Sequence, residues 1–301
     1  MNRLEFTFLN DRGLRAGWRF FLYVLLLDRL SRGLFWVLPK LGYTLSEGWD
    51  WPSFLFEASL DFSVALLVAL LLWRFEKNRP FSDYGFPLSF DAPKLLLKGL
   101  IWGFIPSALI LIPIWLLGAC SFHGFALHGS ARIVSALGWA LAWLALGFSE
   151  EFAFRGYSLR ALADGIGFWP AAIALSVLFG AVHYFLKPME NWIDPVSVGL
   201  YGLFWSLNLK RTGSLWFGVG FHAMSDYSDM IVFGEPNTGN QGQSIPGYLL
   251  DVRFHGPDWI TGGPRGTEAS LFVFVILAGL FYFFDKAYPA KEKAMARSSS
   301  K

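Results

Sequence analysis

The chain has 301 residues, of which 54% are hydrophobic and only 16% are charged, and its mean hydropathy is +0.42. This composition lies outside the usual range of soluble globular domains and predicts a membrane protein. The net charge of +2 comes without a concentrated basic patch, so nothing in the sequence indicates nucleic-acid binding. Cys120 is the only cysteine, which excludes an intramolecular disulfide and a cysteine-based metal site.

Eight apolar runs follow one another along the chain, at 17–38, 58–73, 95–119, 133–148, 168–186, 196–209, 215–233 and 270–284. Several approach the roughly 20 residues that cross a hydrocarbon core of about 30 Å, and tilt or flanking residues complete the shorter ones. The first run is interrupted by Asp28, Arg29 and Arg32. No signal-peptide cleavage site follows it, so we expect it to be retained. The predicted fold is an all-α, polytopic membrane bundle of about eight transmembrane helices.

These runs divide the chain into three predicted segments. Residues 1–94 form a two-span leader that ends in a polar cytoplasmic linker, 75–94, with three prolines. Residues 95–285 form a six-span membrane domain, and residues 286–301 form a basic cytoplasmic tail.

The basic residues predict the orientation of the bundle. With the N-terminus in the cytoplasm, 18 of the 25 Lys and Arg residues fall on the cytoplasmic side, as the positive-inside rule requires. An even number of spans then returns the tail to that side. The connection 234–267, rich in Gly, Pro and Asn, then lies outside, as a lid or a simple loop. We therefore expect a multi-pass integral protein of a bacterial plasma membrane with both termini in the cytoplasm.

A charged side chain near the bilayer centre costs at least a few kcal/mol, so ionisable residues inside apolar runs are functional candidates by default. We take eight residues as candidates: Asp61, Glu150, Glu151, Arg155, His183, His222, Asp226 and Asp229. We interpret Asp61 and Asp229 as structural polar contacts. The other six residues lie directly after the fourth run or within the fifth and seventh runs.

Helical spacing sorts these six residues. Glu151 and Arg155 are four residues apart, so they share a helix face and can form an ion pair. Glu150 points about 100° away from Glu151 and stays free of that pair. The same four-residue spacing stacks Phe179 with His183 and His222 with Asp226. Taken singly, each pair is better explained by helix stability or by packing than by a function.

The case for a site rests on the depths of these residues in the membrane. Glu150 and His183 both lie about 24 Å along their helices from the turn near Gly165. His222 lies about 15 Å from its own turn, so it is level with them only if the Gly165 hairpin projects some 9 Å further, at about 1.5 Å per residue. Glycines at positions 147, 156, 180, 218 and 220 would let these helices approach closely.

A free carboxylate, two histidines and an aspartate on three helices are the groups that a general acid–base site needs. Glu150 with His183 could take a proton from water and pass it to a leaving amine. His222 with Asp226 could stabilise the oxyanion of a tetrahedral intermediate, provided that Asp226 is protonated or acts by orienting His222. The predicted reaction is peptide hydrolysis by activated water.

These residues carry a resemblance to a known family. The patterns Glu150-Glu151-x-x-x-Arg155, Phe179-x-x-x-His183 and His222-x-x-x-Asp226 resemble the three signature motifs of the CAAX-protease and bacteriocin-processing (Abi, or CPBP) family of intramembrane proteases. The similarity covers about 95–233.

The resemblance implies an eight-helix membrane fold with a catalytic cavity open to the cytoplasm and the bilayer. It implies Glu150 and His183 as water activators, with His222 and Asp226 as oxyanion contacts. Glu151, Arg155 and Phe179 are supporting residues. The eukaryotic prenyl-protein members carry Asn at the position of Asp226, which puts a donor role for this residue in question.

The candidate site residues also bear on the cofactor and the partners. We favour a metal-free glutamate mechanism, because Glu151 is committed to Arg155 and no HExxH is present. If zinc is bound, its ligands are Glu150, His183 and His222. The expected partners are a peptide or membrane-protein substrate and the lipid bilayer.

Two alternatives from other classes stay open. A proton-coupled transporter also buries acids and histidines near the midplane, but it predicts inverted repeats and broken helices, which the sequence does not show. A non-catalytic scaffold or bacteriocin-immunity protein would bind a partner membrane protein, although intact Glu150, His183 and His222 argue against a degenerate site.

Overall fold

The computed structural model describes residues 7–11, 13–43, 46, 48–77 and 79–290, and these residues are mostly helical. The helices are α1 (Ala16–Val37), α2 (Trp51–Trp73), α3 (Ala92–Leu116), α4 (Gly129–Glu151), α5 (Leu159–Ile166), α6 (Phe168–Leu186), α7 (Ile193–Thr212), α8 (Trp216–Asp226), α9 (Asp258–Thr261) and α10 (Phe272–Ala287). Two π-helical stretches, Phe152–Ser158 and Tyr227–Val232, continue α4 and α8. Short 3₁₀ turns lie at Leu38–Leu41, Phe81–Tyr84, Thr238–Asn240, Gly263–Arg265 and Thr267–Ala269.

The strands are short and occur in three antiparallel pairs. β1 (Leu9–Asn10) pairs with β2 (Gly13–Leu14), β3 (Cys120–Phe125) pairs with β6 (Leu250–Phe254), and β4 (Pro236–Asn237) pairs with β5 (Gln243–Ser244). The β3–β6 pair joins the connection after α3 to the connection before α10. These ribbons tie loops together and leave the fold a helical bundle.

Each predicted apolar run coincides with a helix, and four helices of the described part are long and apolar enough to cross a membrane: Trp51–Trp73, Ala92–Leu116, Gly129–Ile166 and Phe168–Leu186. The third of these joins α4, the first π-helical stretch and α5 into 38 continuous residues. The remaining runs fall short for local reasons. α1 contains the charges already noted at 28, 29 and 32, and α10 has only 16 residues. A helical membrane bundle is therefore supported, while eight complete spans stay a prediction.

The helices approach closely at glycines, as small residues allow in membrane bundles. A Cβ at Gly220 of α8 would lie 2.3 Å from the Leu96 carbonyl oxygen of α3. A Cβ at Gly180 of α6 would lie 2.2 Å from the Pro195 carbonyl oxygen of α7. At Gly218 the nearest atom would be 3.5 Å away, so this position needs no glycine for clearance. The close contact at Gly220 packs α8 against α3, and the close contact at Gly180 packs α6 against α7.

The two-span leader packs onto the six-span domain. Trp49 and Phe54 contact Trp139 and Trp143 in the middle of α4. Asp61 accepts a hydrogen bond from Ser31 Oγ at 3.0 Å, a contact between α2 and α1 of the structural kind that the sequence predicts. In the predicted tail, residues 291–301 lie outside the described part of the chain.

Candidate functional site

Three helices bring the predicted site residues to one cavity. Glu150 lies at the end of α4, His183 in the last turn of α6, and His222 and Asp226 on α8. All four side chains line a cavity of about 200 Å³. The contact that the depth argument requires is present, because His222 Nε2 lies 3.8 Å from Glu150 Oε2.

Beneath the cavity, Glu151 joins two helices through its carboxylate. Its Oε1 accepts from Arg155 Nη1 at 3.1 Å and lies 3.0 Å from His222 Nδ1. Glu151 and Arg155 are 0% and 1% exposed, so the carboxylate and the guanidinium compensate each other away from water. The i,i+4 pair predicted from the sequence is thus present, and it also fixes the ring of His222.

The opposite edge of the His222 ring faces the cavity. Its Nε2 lies 3.5 Å from Asp226 Oδ2 as well as 3.8 Å from Glu150 Oε2. The Glu150 and Asp226 side chains are 27% and 25% exposed, whereas His222 is 4% exposed. The adjacent glutamates therefore occupy different surroundings, with Glu151 sealed in the interior and Glu150 open to water in the cavity.

His183 has a defined tautomer. Its Nδ1 lies 2.9 Å from the Phe179 carbonyl oxygen, and a carbonyl only accepts, so Nδ1 carries the hydrogen. In the neutral ring, Nε2 then has a free lone pair. The ring also packs at 4.5 Å from the Phe179 ring. The sequence interpretation pairs Glu150 with His183; both line the cavity, but the ring nitrogen in contact with Glu150 belongs to His222.

Aromatic rings hold the charged groups in place. Trp205 of α7 stacks on His222 with a centroid distance of 4.1 Å and an interplanar angle of 13°. The Arg155 guanidinium carbon lies 4.4 Å from the Phe179 ring centroid and 5.0 Å from that of Trp205. Such cation–π contacts stabilise a cation that water does not reach. Sequence reasoning missed Trp205, because an aromatic residue in an apolar helix gives no polar signal.

Loop residues complete the cavity, and sequence reasoning missed these too. Lys187, Asn237, Thr267 and Glu268 line it, together with Asp229 of the second π-helical stretch. The interpretation of Asp229 as a structural contact did not anticipate its place on the cavity wall. The long connection is folded against the helices: Trp139 Nε1 of α4 donates to the Pro246 carbonyl oxygen at 3.2 Å.

Two acids of this loop region have shifted pKa values. The pKa of Glu268 is raised to about 8, chiefly by burial and to a smaller extent by nearby Asp226, Glu190 and Asp194, against the lowering effect of Lys187. Burial also raises the pKa of Glu235 to about 7, against two hydrogen bonds from Thr267 that lower it. Near neutral pH, the proton occupancy of both loop acids is therefore sensitive to small pH changes.

The donor set does not have the arrangement of a zinc site. Within residues 7–290 as described, no group of three or more His, Cys, Asp or Glu side chains is placed to hold a metal ion. Of the three ligands named for zinc, His222 has its Nδ1 engaged by Glu151, so only its Nε2 is open to a metal.

The comparison with protein families agrees with the sequence motifs. Residues 132–228 match the model of the family described as type II CAAX prenyl endopeptidase Rce1-like. This stretch contains Glu150, Glu151, Arg155, Phe179, His183, His222 and Asp226, and the match confirms the suspected resemblance. No curated protein and no solved structure matches the chain.

Proposed function

We propose that this protein is an intramembrane endopeptidase that hydrolyses a peptide bond with water activated by Glu150 and His183. The family match supports a protease, and the four apolar helices support an integral membrane protein. The observation that carries the proposal is the meeting of Glu150, His183, His222 and Asp226, from three helices, on one water-facing cavity.

In the proposed first step, a water molecule donates one hydrogen bond to the Glu150 carboxylate and the other to the free lone pair of His183 Nε2. Glu150 takes a proton as the water oxygen attacks the peptide carbonyl carbon, which gives a tetrahedral intermediate. The C–N bond then breaks, and the proton on Glu150 passes to the leaving amine. A correctly placed base of this kind contributes about 10²–10⁴-fold to the rate.

His222 is the proposed donor to the oxyanion. With Nδ1 donating to Glu151, the Nε2 edge faces the cavity between Glu150 and Asp226. Nε2–H can donate to the developing charge only while the ring is an imidazolium, and the three carboxylates around the ring compensate that positive charge. Asp226 then acts by orienting the ring, since a carboxylate has no proton to donate. Donors preorganised in this way are often the largest single contribution to acyl-transfer rates.

The substrate class follows from the location of the site. Glu150 and His183 lie on helices that are long and apolar enough to cross a membrane. The proposed substrate is therefore a peptide segment at or within the bilayer, from a peptide or a membrane protein.

The test is cleavage of peptides by the purified protein, followed by mass spectrometry. Each pair of fragments is expected to sum to the intact peptide plus one water. Glu150→Gln should lower turnover by about 10²–10⁴-fold, the contribution of a general base, whereas Glu57→Gln on α2, away from the cavity, should leave it unchanged. A scaffold, an immunity protein or a transporter would give no cleavage with any variant.

Chelation separates the two chemical versions of the proposal. The glutamate mechanism predicts that turnover survives dialysis against a strong chelator. Loss of turnover that added zinc restores would show that Glu150, His183 and His222 act as metal ligands, and the roles given above would then be wrong.

A further inference from the structure

The cavity lies toward one face of the bundle. One face, called the terminal face here, contains the start of α1 at Ala16 and the turns at Gly167 and Gly213. The opposite face, called the loop face, contains the connections 117–128, 187–192 and 233–271. The start of α10 is at the loop face and its end, Ala287, is at the terminal face.

The cavity reaches the loop face. His183 is in the last turn of α6, three residues before the helix ends at Leu186. Beyond it, the cavity is lined by Lys187, Asn237, Thr267 and Glu268, all of which belong to loop-face connections. Gly239, at the cavity edge, is exposed. Water and substrate therefore have a route from this face.

Packed side chains block the path from the cavity to the terminal face. Glu151 and Arg155, directly below Glu150, are 0% and 1% exposed. Toward the terminal face, the next turns contain the buried rings of Phe152 and Tyr157, and Tyr84 of the 75–94 segment stacks on Tyr157 at 4.9 Å. This aromatic layer separates the cavity from the terminal face.

The basic residues are distributed unequally between the faces. Of the 19 Lys and Arg residues in the described part of the chain, seven lie nearer the loop face: Arg29, Arg32, Lys40, Arg132, Lys187, Arg253 and Arg265. The described residues of the terminal face include basic side chains in the 74–98 segment, at the end of α7 and at the end of α10. Excess Lys and Arg in short connections marks the cytoplasmic side of a membrane protein.

From the one-sided cavity and the charge bias together, we infer that the active site opens to the extracytoplasmic side of the membrane. Two earlier expectations, cytoplasmic termini and a cavity open to the cytoplasm, cannot both hold, because the start of α1 and the end of α10 lie at the face opposite the cavity opening. The charge bias supports the first. This inference rests on the proposed function. It predicts that the substrate is an extracytoplasmic or outer-leaflet peptide segment, and it excludes a prenylated cytosolic tail as the substrate.

Topology is tested without any activity measurement. In a Cys120→Ala background, Gln243→Cys places a thiol on the exposed β5 strand of the loop face, and Ser89→Cys places one at an exposed position of the terminal face. A membrane-impermeant maleimide should label the Gln243→Cys protein in intact cells. It should label the Ser89→Cys protein only after permeabilisation. The reverse pattern would overturn the inference and leave the proposed hydrolysis intact.

A second experiment asks where cleavage occurs. A water-soluble peptide that the purified protein cuts is supplied outside sealed right-side-out vesicles. Cleavage without permeabilisation is the expected result. Cleavage that requires permeabilisation would contradict the inference. Whether the protein hydrolyses peptides at all is tested separately, by comparing the wild type with Glu150→Gln in detergent.

Discussion

Gly202 is expected to control the position of the Arg155 guanidinium. It lies on α7, and a Cβ at this position would be 2.4 Å from Arg155 Nη2 and 3.5 Å from Phe179 Cδ1. The first distance is about 1 Å shorter than an ordinary van der Waals contact of roughly 3.5 Å. The guanidinium is enclosed by the Phe179 and Trp205 rings, so it can yield only by shifting relative to Glu151.

The substitution Gly202→Ala should therefore act on stability and on turnover together. Overpacking of a close-packed interior typically costs about 1–3 kcal/mol, which corresponds to roughly 2–10 °C in the midpoint of thermal unfolding for a chain of this size. A shift of the guanidinium moves the Glu151 carboxylate and, through it, His222. A displacement near 1 Å at a catalytic group can lower the rate by about 10²-fold.

The decisive form of this experiment is a double-mutant cycle read by thermal unfolding in detergent. Lysine has no Nη2, so Arg155→Lys removes the atom that the new methyl group would strike. Gly202→Ala should then cost much less in the Arg155→Lys background than in the wild type. Gly279→Ala, with no atom within 4 Å of the new Cβ, is the matched control. Equal costs of Gly202→Ala in both backgrounds would refute the reasoning.

Three further predictions concern the surroundings of the site. Burial is the main reason why the pKa of Glu268 is raised from 4.5 to about 8 in the folded protein. Between pH 4.5 and pH 8 the folded state therefore keeps a proton that the unfolded chain has released, and the free energy of unfolding falls as the pH rises through this range. Glu268→Gln should accordingly raise the unfolding midpoint at pH 8 but not at pH 4; an equal change at both would contradict the assignment. Trp205→Leu removes the ring stacked on His222 at 4.1 Å and should lower kcat more than KM changes, whereas Trp205→Phe should retain most of the turnover; equal losses would exclude a stacking role. Arg19 pairs with Glu76 and, at 2.6 Å, with Asp164. Because Arg79 still pairs with both carboxylates, Arg19→Ala should cost only about 1.5–3 kcal/mol of stability; kinetics at low temperature should show unchanged turnover per folded molecule.

Local geometry explains which contacts the sequence could predict. The Glu151–Arg155 pair and the His222–Asp226 contact follow from four-residue spacing on one helix, which holds whatever the rest of the chain does. The run 168–186 coincides with α6, Phe168–Leu186, whereas the runs 58–73 and 95–119 miss the helix starts at Trp51 and Ala92.

The meeting of α4 with α8 needed one further condition, a Gly165 hairpin that projects beyond the start of α8. The structure supplies a continuous helix from Gly129 to Ile166 through the π-helical stretch. Glu150 lies further from Ile166 than His222 lies from Trp216, yet their side chains are in contact. The end of α5 must therefore project past the start of α8. Local periodicity contains no information on such offsets.

The missed residues depend on long-range contacts. Trp205 reaches His222 only because α7 packs against α8, and Glu268 reaches the cavity only because the long connection folds back over the helices. The contact between Trp205 and His222 joins residues that are distant in sequence, and so does the cavity that Glu268 shares with Glu150. The opening of the cavity toward the loop face is likewise a property of the packed bundle, and a motif shared with a family does not determine it.

The central claim is that two adjacent glutamates have separate tasks, with Glu150 acting on water and Glu151 holding Arg155 and His222. The most direct test makes the same substitution at each position and measures turnover and thermal unfolding on both proteins. Glu150→Gln should lose at least about 10²-fold in turnover, as expected for removal of a general base, with its unfolding midpoint unchanged. Glu151→Gln should lower the midpoint, because it leaves a buried guanidinium without its counter-charge. Turnover that survives Glu150→Gln in a folded protein would contradict the account.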